Sequence, residues 1–260
     1  MRIVCIANQK GGVGKTTLAA GLAGAFAARG ARVLLLDLDP HASLSHWFGL
    51  TDAPRGTYDV YQPGLALADV AHATPEPAIA LAPAAAALAT LERAGATSPG
   101  IGRALARAFE GASGYDVALL DCPPTFGVLM VSALAAADLL LVPTQTEPLA
   151  LRALDGMLRT AQMVERSRAR PLPAVVVPSL FDARTRVARD SLAALRARSD
   201  CRVWHETIPV DTRLREASRN ARTPQAFDPA SRGAQAFTRL ADWIEAGLPQ
   251  MQRNEWERAA

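Results

Sequence analysis

The sequence predicts an α/β fold in three layers: a mostly parallel sheet with helices on both faces. Three observations predict it. Short runs that are apolar throughout recur along the chain, helical stretches separate them, and a glycine-rich loop joins the first run to the first helix. A strand covered on both faces meets water on neither. It therefore reads as a continuous apolar run instead of an alternating one.

Taken in order, "RIVCIA" (2–7) is the first buried strand. The stretch "GKTTLAAGLAGAFAARG" follows as a helix, with Gly30 as its C-terminal stop. "ARVLLLDLDP" is the second strand and ends in acidic residues. Residues 50–77 and 95–101 show no clear period, whereas 78–91 contains "AIALAP", read as a strand before a short helix. "YDVALLDCPP", "ADLLLVPTQ" and "PAVVVPS" repeat the buried-strand style, with helices expected at 127–137, 149–168 and 185–198. "CRVWHETIP" reads as a last strand and 231–246 as a last helix, with Phe237, Leu240 and Ile244 on one core-facing side. Nothing resembles a linker, so residues 1–260 are expected to form a single domain.

Composition narrows the classes. Half the residues are apolar, yet no run of 18 escapes a charge, glycine or proline, so no membrane span is expected. The N-terminus enters a strand at once, without the zones of a signal peptide. Cys5, Cys122 and Cys201 form no C-x-x-C pair and read as reduced core residues of a cytoplasmic protein. The net charge is only +3, but residues 152–222 hold 15 Arg against 8 acidic residues, which is +7. That half suits an anionic partner, or is a solvated arginine surface.

The chain has two lysines, Lys10 and Lys15, both inside "KGGVGKTT"; its other 26 basic residues are arginine. A glycine loop between strand and helix turns backbone N–H groups inward onto an anion, and the helix N-terminus adds its positive end. Gly11, Gly12, Val13 and Gly14 supply that loop, Lys15 a compact charge, Thr16 a hydroxyl for Mg²⁺, and Thr17 continues the helix start. An arginine fork would not fit inside so tight a loop. The usual G-x-x-x-x-G-K-[ST] spacing is broken, since Gln9 stands where its first glycine would fall and Lys10 comes next. Asp121 closes the strand "VALLD", where a carboxylate would hold Mg²⁺ through water, and Asp37 and Asp39 end the second strand. Pro123 and Pro124 would stiffen the loop after Asp121.

"KGGVGKTT", "DLDPHASL" and "YDVALLDCPP" together resemble the deviant Walker-motif ATPases of the ParA/MinD family, which have the P-loop NTPase fold. Similarity continues through "PTQTEPLALRALDGM", "PSLFDARTRVARDSLAALR" and "IPVDTRLREASRNARTPQAFDPASRGAQAF", in the manner of ParA more than MinD. "DPHASL" and "FDPASRGAQAF" are most similar to the ParA-like proteins encoded beside flagellar and chemotaxis genes, sometimes called ParC. The resemblance implies ATP and Mg²⁺, slow hydrolysis to ADP and phosphate, and an ATP-dependent homodimer. In that dimer Lys10 reaches the partner's phosphates, Asp39 positions the attacking water, and Asp37 lies near the metal. It also implies cargo positioned with an adaptor or ATPase-activating protein: plasmids, chromosome origins or polar clusters. Nonspecific DNA binding would fall to Arg184, Arg186 and Arg189, and to Arg213, Arg215, Arg219 and Arg222. The protein would work in the cytoplasm, at the nucleoid or pole.

Three rivals share the core. A MinD-like membrane regulator needs a C-terminal amphipathic helix, but "QMQRNEWERAA" carries charge on every side around Trp256, so no stable membrane anchor is expected. An amidoligase of the cobyrinic acid a,c-diamide synthase type needs a glutamine-hydrolysing domain. A nitrogenase-iron-protein-like reductase needs a second cysteine soon after Cys122. His46, His72 and His205 read as structural, and His41 stands where many ParA sequences have glutamine.

Overall fold

The computed structural model describes residues 1–62, 65–94 and 100–259, with side chains through residue 247. Part of the unreadable 95–101 stretch and the side chain of Trp256 therefore lie outside the described residues. The strands are β1 (Arg2–Ile6), β2 (Val33–Asp37), β3 (His72–Ala73), β4 (Ile79–Ala82), β5 (Val117–Asp121), β6 (Leu139–Gln145), β7 (Ala174–Ser179) and β8 (Arg202–Val203). They form one sheet in the order β3-β4-β2-β5-β1-β6-β7-β8, parallel throughout except where β3 meets β4. The helices are α1 (Lys15–Ala27), α2 (Ser43–Trp47), α3 (Leu67–Val70), α4 (Ala87–Ala94), α5 (Ala104–Glu110), α6 (Val128–Ala136), α7 (Pro148–Glu165), α8 (Arg186–Arg196), α9 (Thr212–Arg219), α10 (Pro224–Phe227) and α11 (Arg232–Ala259).

The continuous apolar runs resolve into two cores. Val4, Ile6, Leu35, Leu119 and Val177 face α1 and α11, where Leu22, Phe26, Phe237 and Ile244 complete one layer. Ile3, Cys5, Leu34, Leu120 and Val176 face the other way, onto Met130 and Leu134 of α6 and Leu154 and Met157 of α7. Period-two alternation is thus intact, but both faces are apolar because both are covered. Cys5 and Cys122 are buried free thiols with sulfurs 3.5 Å apart, and Cys201 is also free.

Helix α1 is packed unusually closely from behind. A Cβ on Gly21 would overlap the Phe237 ring of α11, and one on Gly24 would strike the Thr223 side chain that caps α10. Both glycines give up helix propensity, at roughly 1 kcal/mol each, in exchange for this contact. Gly30 (φ 83°) turns the chain away from α1, as expected.

The "CRVWHETIP" segment departs from expectation. It pairs with β7 only at Arg202 and Val203. Trp204 N still reaches Val176 O, but the next bond to β7 is from Ile208 N to Pro178 O, so residues 205–207 loop out of the sheet. Pro178 has no N–H with which to continue the ladder. The last helix begins at Arg232 but runs on well beyond residue 246.

Candidate functional site

The expected site residues converge at the carboxyl ends of β1, β2 and β5. The loop from β1 to α1 places Gly12 (φ 73°) and Gly14 (φ 91°) in left-handed conformations, and Gly14 is the N-cap of α1. Among the described residues no side chain caps this helix, and no acidic residue lies in its own first turn. Open space surrounds the Cα atoms of Gly11, Gly12 and Gly14. Ser179 Oγ donates to Val13 O at 2.8 Å and Gln145 Nε2 to Gly12 O at 3.3 Å, tying the loop to β7 and β6. Asn8 binds both ways, donating to Pro143 O at 2.8 Å and accepting from Lys10 N at 3.0 Å.

Lys15 is buried, at 8% exposure, and among the described residues its ammonium has only a 3.4 Å contact with Lys10 O. Burial pushes its pKa down, against the pull of Asp121 and Asp39. A desolvated cation with so little compensation is set to gain from an anion. Thr16 Oγ1 donates to Asp121 Oδ2 at 2.7 Å, while Asp121 Oδ1 is buried without a hydrogen-bond partner among the described residues. Burial first, then Asp37, pushes the Asp121 carboxyl well above its ordinary range.

Asp37 and Asp39 differ sharply. Asp37 is fully buried; its Oδ2 accepts Ser45 N and Ser45 Oγ, both at 2.8 Å, and its Oδ1 accepts Asp39 N at 3.1 Å. Burial lifts its pKa to about 6 despite these bonds. Asp39 is 13% exposed, and His41 donates to its Oδ1 from the backbone at 3.0 Å. Lys10, at the mouth of the loop, is paired with Glu147 and donates to Gln145 Oε1 at 2.5 Å. Beside Thr17 opens a cleft of about 330 Å³, lined by Leu180, Pro209, Val210, Asp211, Thr212 and Arg215.

The two arginine groups leave the sheet side by side, because Phe181 and Pro209 form a parallel bridge. Three of the four main candidates already have carboxylate partners. Arg184 makes two bonds to Asp182, at 2.9 and 2.8 Å, and pushes that carboxyl down to about 2. Arg186 lies 3.4 Å from Asp190, and Arg213 meets Glu216 at 2.6 Å and Asp228 at 3.0 Å. Arg215 is exposed, with no ion pair among the described residues.

Sequence reasoning missed Asn8, Ser45, Gln145, Glu147 and Ser179. The stretches of similarity "PTQTEP" and "PSLF" contain three of them, Gln145, Glu147 and Ser179, without marking them out.

An AAA-domain family model matches residues 1–173. The chromosome-partitioning ATPase Soj of Thermus thermophilus is 40% identical over 251 residues, covering 95% of this chain and 96% of that one. The chromosome partitioning protein ParA of Caulobacter vibrioides is 38% identical, covering 93% and 92%. A solved structure of cobyrinic acid a,c-diamide synthase from Mycobacterium smegmatis, with bound ATP analogue and magnesium, superposes with a TM-score of 0.83 at 33% identity, covering 95% of each chain.

Proposed function

The chain belongs to the ParA/MinD family of ATPases, and from that premise we propose that residues 1–260 act as one ATP-driven dimerising switch that positions or segregates cargo. The observation that carries the reading is Lys15, a buried cation with only a 3.4 Å contact, set beside an orphaned carboxylate oxygen of Asp121. Together they suit an anion and a divalent cation side by side.

The residues present fit Mg²⁺. Thr16 and Asp121 would hold it, Asp121 through water, with Asp37 behind them fixing the loop after β2. When bound, Mg²⁺ supplies charge that offsets the β and γ phosphate oxygens. Gly11 to Gly14 direct backbone N–H groups at the same phosphates and Lys15 adds its ammonium. The cleft beside Thr17 receives the nucleoside. Asp39 orients the attacking water, Lys10 crosses to the partner's nucleotide, and hydrolysis releases the two subunits. The arginines around α8 and α9 hold DNA weakly in the dimer, by charge and without sequence preference.

The names of the relatives favour chromosome partitioning at the nucleoid, whereas "DPHASL" and "FDPASRGAQAF" favour polar placement of chemotaxis or flagellar clusters. Among the described residues no helix is long and apolar enough to cross a membrane. The amidoligase reading is favoured by one structural neighbour's name. Light scattering with and without Mg²⁺-ATP tests the switch, which fails if ATP leaves the mass unchanged. Tracking origins and chemoreceptor clusters by fluorescence in a deletion strain separates the cargoes.

A further inference from the structure

We propose that His41 is a positioning residue for hydrolysis, holding the Asp39 carboxylate so that its other oxygen meets the attacking water. The inference rests on the reading of Asp39 given above. Asp39 Oδ1 is bonded to His41 twice, by the backbone N–H at 3.0 Å and by ring Nδ1 at 2.8 Å. Asp39 Oδ2 has no hydrogen bond among the described residues. With both bonds on one oxygen, the carboxylate cannot rotate without losing both, and its second oxygen stays free.

The imidazole is 81% exposed, so packing does not account for where it points. Asp39 does. A carboxylate acceptor requires a proton on Nδ1. The loop is braced at both ends. Ala42 N returns to Asp39 O at 2.8 Å with Ala42 left-handed (φ 55°), and Asp39 N is anchored on Asp37, itself held by Ser45. A line of bonds thus runs from α2 through Asp37 and Asp39 to His41. Because the imidazole acts on the reaction only through Asp39, its loss is expected to slow the chemical step and to leave ATP binding alone.

The test compares His41→Ala, His41→Asn, His41→Gln and Asp39→Ala in single-turnover hydrolysis, ATP titration and light scattering. His41→Ala should lower kcat by about 10–100-fold with KM and dimerisation unchanged, the usual range for losing a group that orients a reacting one. His41→Asn, whose amide N–H falls near Nδ1, should regain most of that loss. His41→Gln, whose amide falls near Nε2, should regain less. Nitrogen NMR of the imidazole should show the Nδ1–H tautomer in the parent and lose it in Asp39→Ala. The proposal is overturned if Asp39→Ala is inactive while His41→Ala turns over like the parent, if His41→Asn is as slow as His41→Ala, or if His41→Ala loses ATP binding. Parent-like hydrolysis by Asp39→Ala would instead overturn the reading of Asp39, and this inference with it.

Discussion

Lys10 is paired with Glu147 of its own chain, across the gap between the phosphate loop and the start of α7. The lysine assigned to a neighbour's phosphates is therefore held at home in the single chain. The side chains are 26% and 44% exposed, so the pair contributes no more than about 1 kcal/mol and exchanges readily for phosphate. Lys10→Ala should keep nucleotide binding but lose ATP-dependent dimerisation and hydrolysis, read by a fluorescent ATP analogue beside light scattering. Glu147→Gln should strengthen the dimer, by at most about fivefold for each of its two crossing lysines given that small energy.

Lys15→Ala should abolish ATP binding. Two charge-assisted contacts, at roughly 1.5–3 kcal/mol each, account for about 10²–10⁴ in affinity. Lys15→Arg should fare little better, because the buried site has no room for a planar fork. Calorimetric titration with Mg²⁺-ATP measures both.

Asp39→Ala should trap the ATP-bound dimer. Phosphate contacts remain, while hydrolysis slows by roughly 10²–10⁴ without a group to orient the water. A variant that fails to bind ATP would show that Asp39 supports the metal or the loop instead.

Asp37 sets a pH dependence in the nucleotide-free chain. Burial holds its carboxyl at about 6, against an ordinary 3.8, so the fold favours the protonated form. The stability this contributes is full below about pH 4 and is lost as pH rises through about 6, amounting to roughly 3 kcal/mol. Asp182 is shifted the opposite way, but its effect lies below pH 4. Thermal melts without nucleotide should therefore fall between pH 4 and 6. Asp37→Asn should reduce that slope and leave the part set by Asp121, whose carboxyl is raised in the same direction, at a cost in overall stability, because an amide cannot accept from Ser45 and Asp39 together.

DNA binding should depend more on Arg215 than on Arg184. Asp182 already cancels much of the Arg184 charge, whereas Arg215 has no ion pair among the described residues. Gel shifts with ATP should show Arg215→Glu weakening retention more than Arg184→Glu or Arg213→Glu, whose arginines are already paired with carboxylates, with all binding falling steeply as salt rises. Binding indifferent to nucleotide, salt and all three changes would refute the patch.

The chemistry of the loop was legible because it is local. Strand, glycines, lysine and threonines follow one another, so Lys15 and Thr16 could be placed without knowing the fold, and Asp121 needed only a strand end. The braces were not legible, because Ser179 and Gln145 reach the loop only once β6 and β7 lie beside β1. Helix α9 went unread for a different reason. It is short and buries only Leu214 and Ala217, too little apolar pattern to register a period. His41 was visible as an oddity, but its bond to Asp39 depends on a left-handed Ala42 that no residue preference announces.

The overlap of Gly21 with Phe237 and of Gly24 with Thr223 has a consequence for how the protein is made. Helix α1 leaves the ribosome well before α10 and α11, which supply the wall behind it. Until those residues emerge, Leu22 and Phe26 lack part of their cover, and the helix that begins at the phosphate loop has the sheet on one side and nothing behind it. A nascent chain thus carries the nucleotide signature long before it can use it. Competence arrives late and all at once, and a product broken off before Phe237 would bear the motif without the switch.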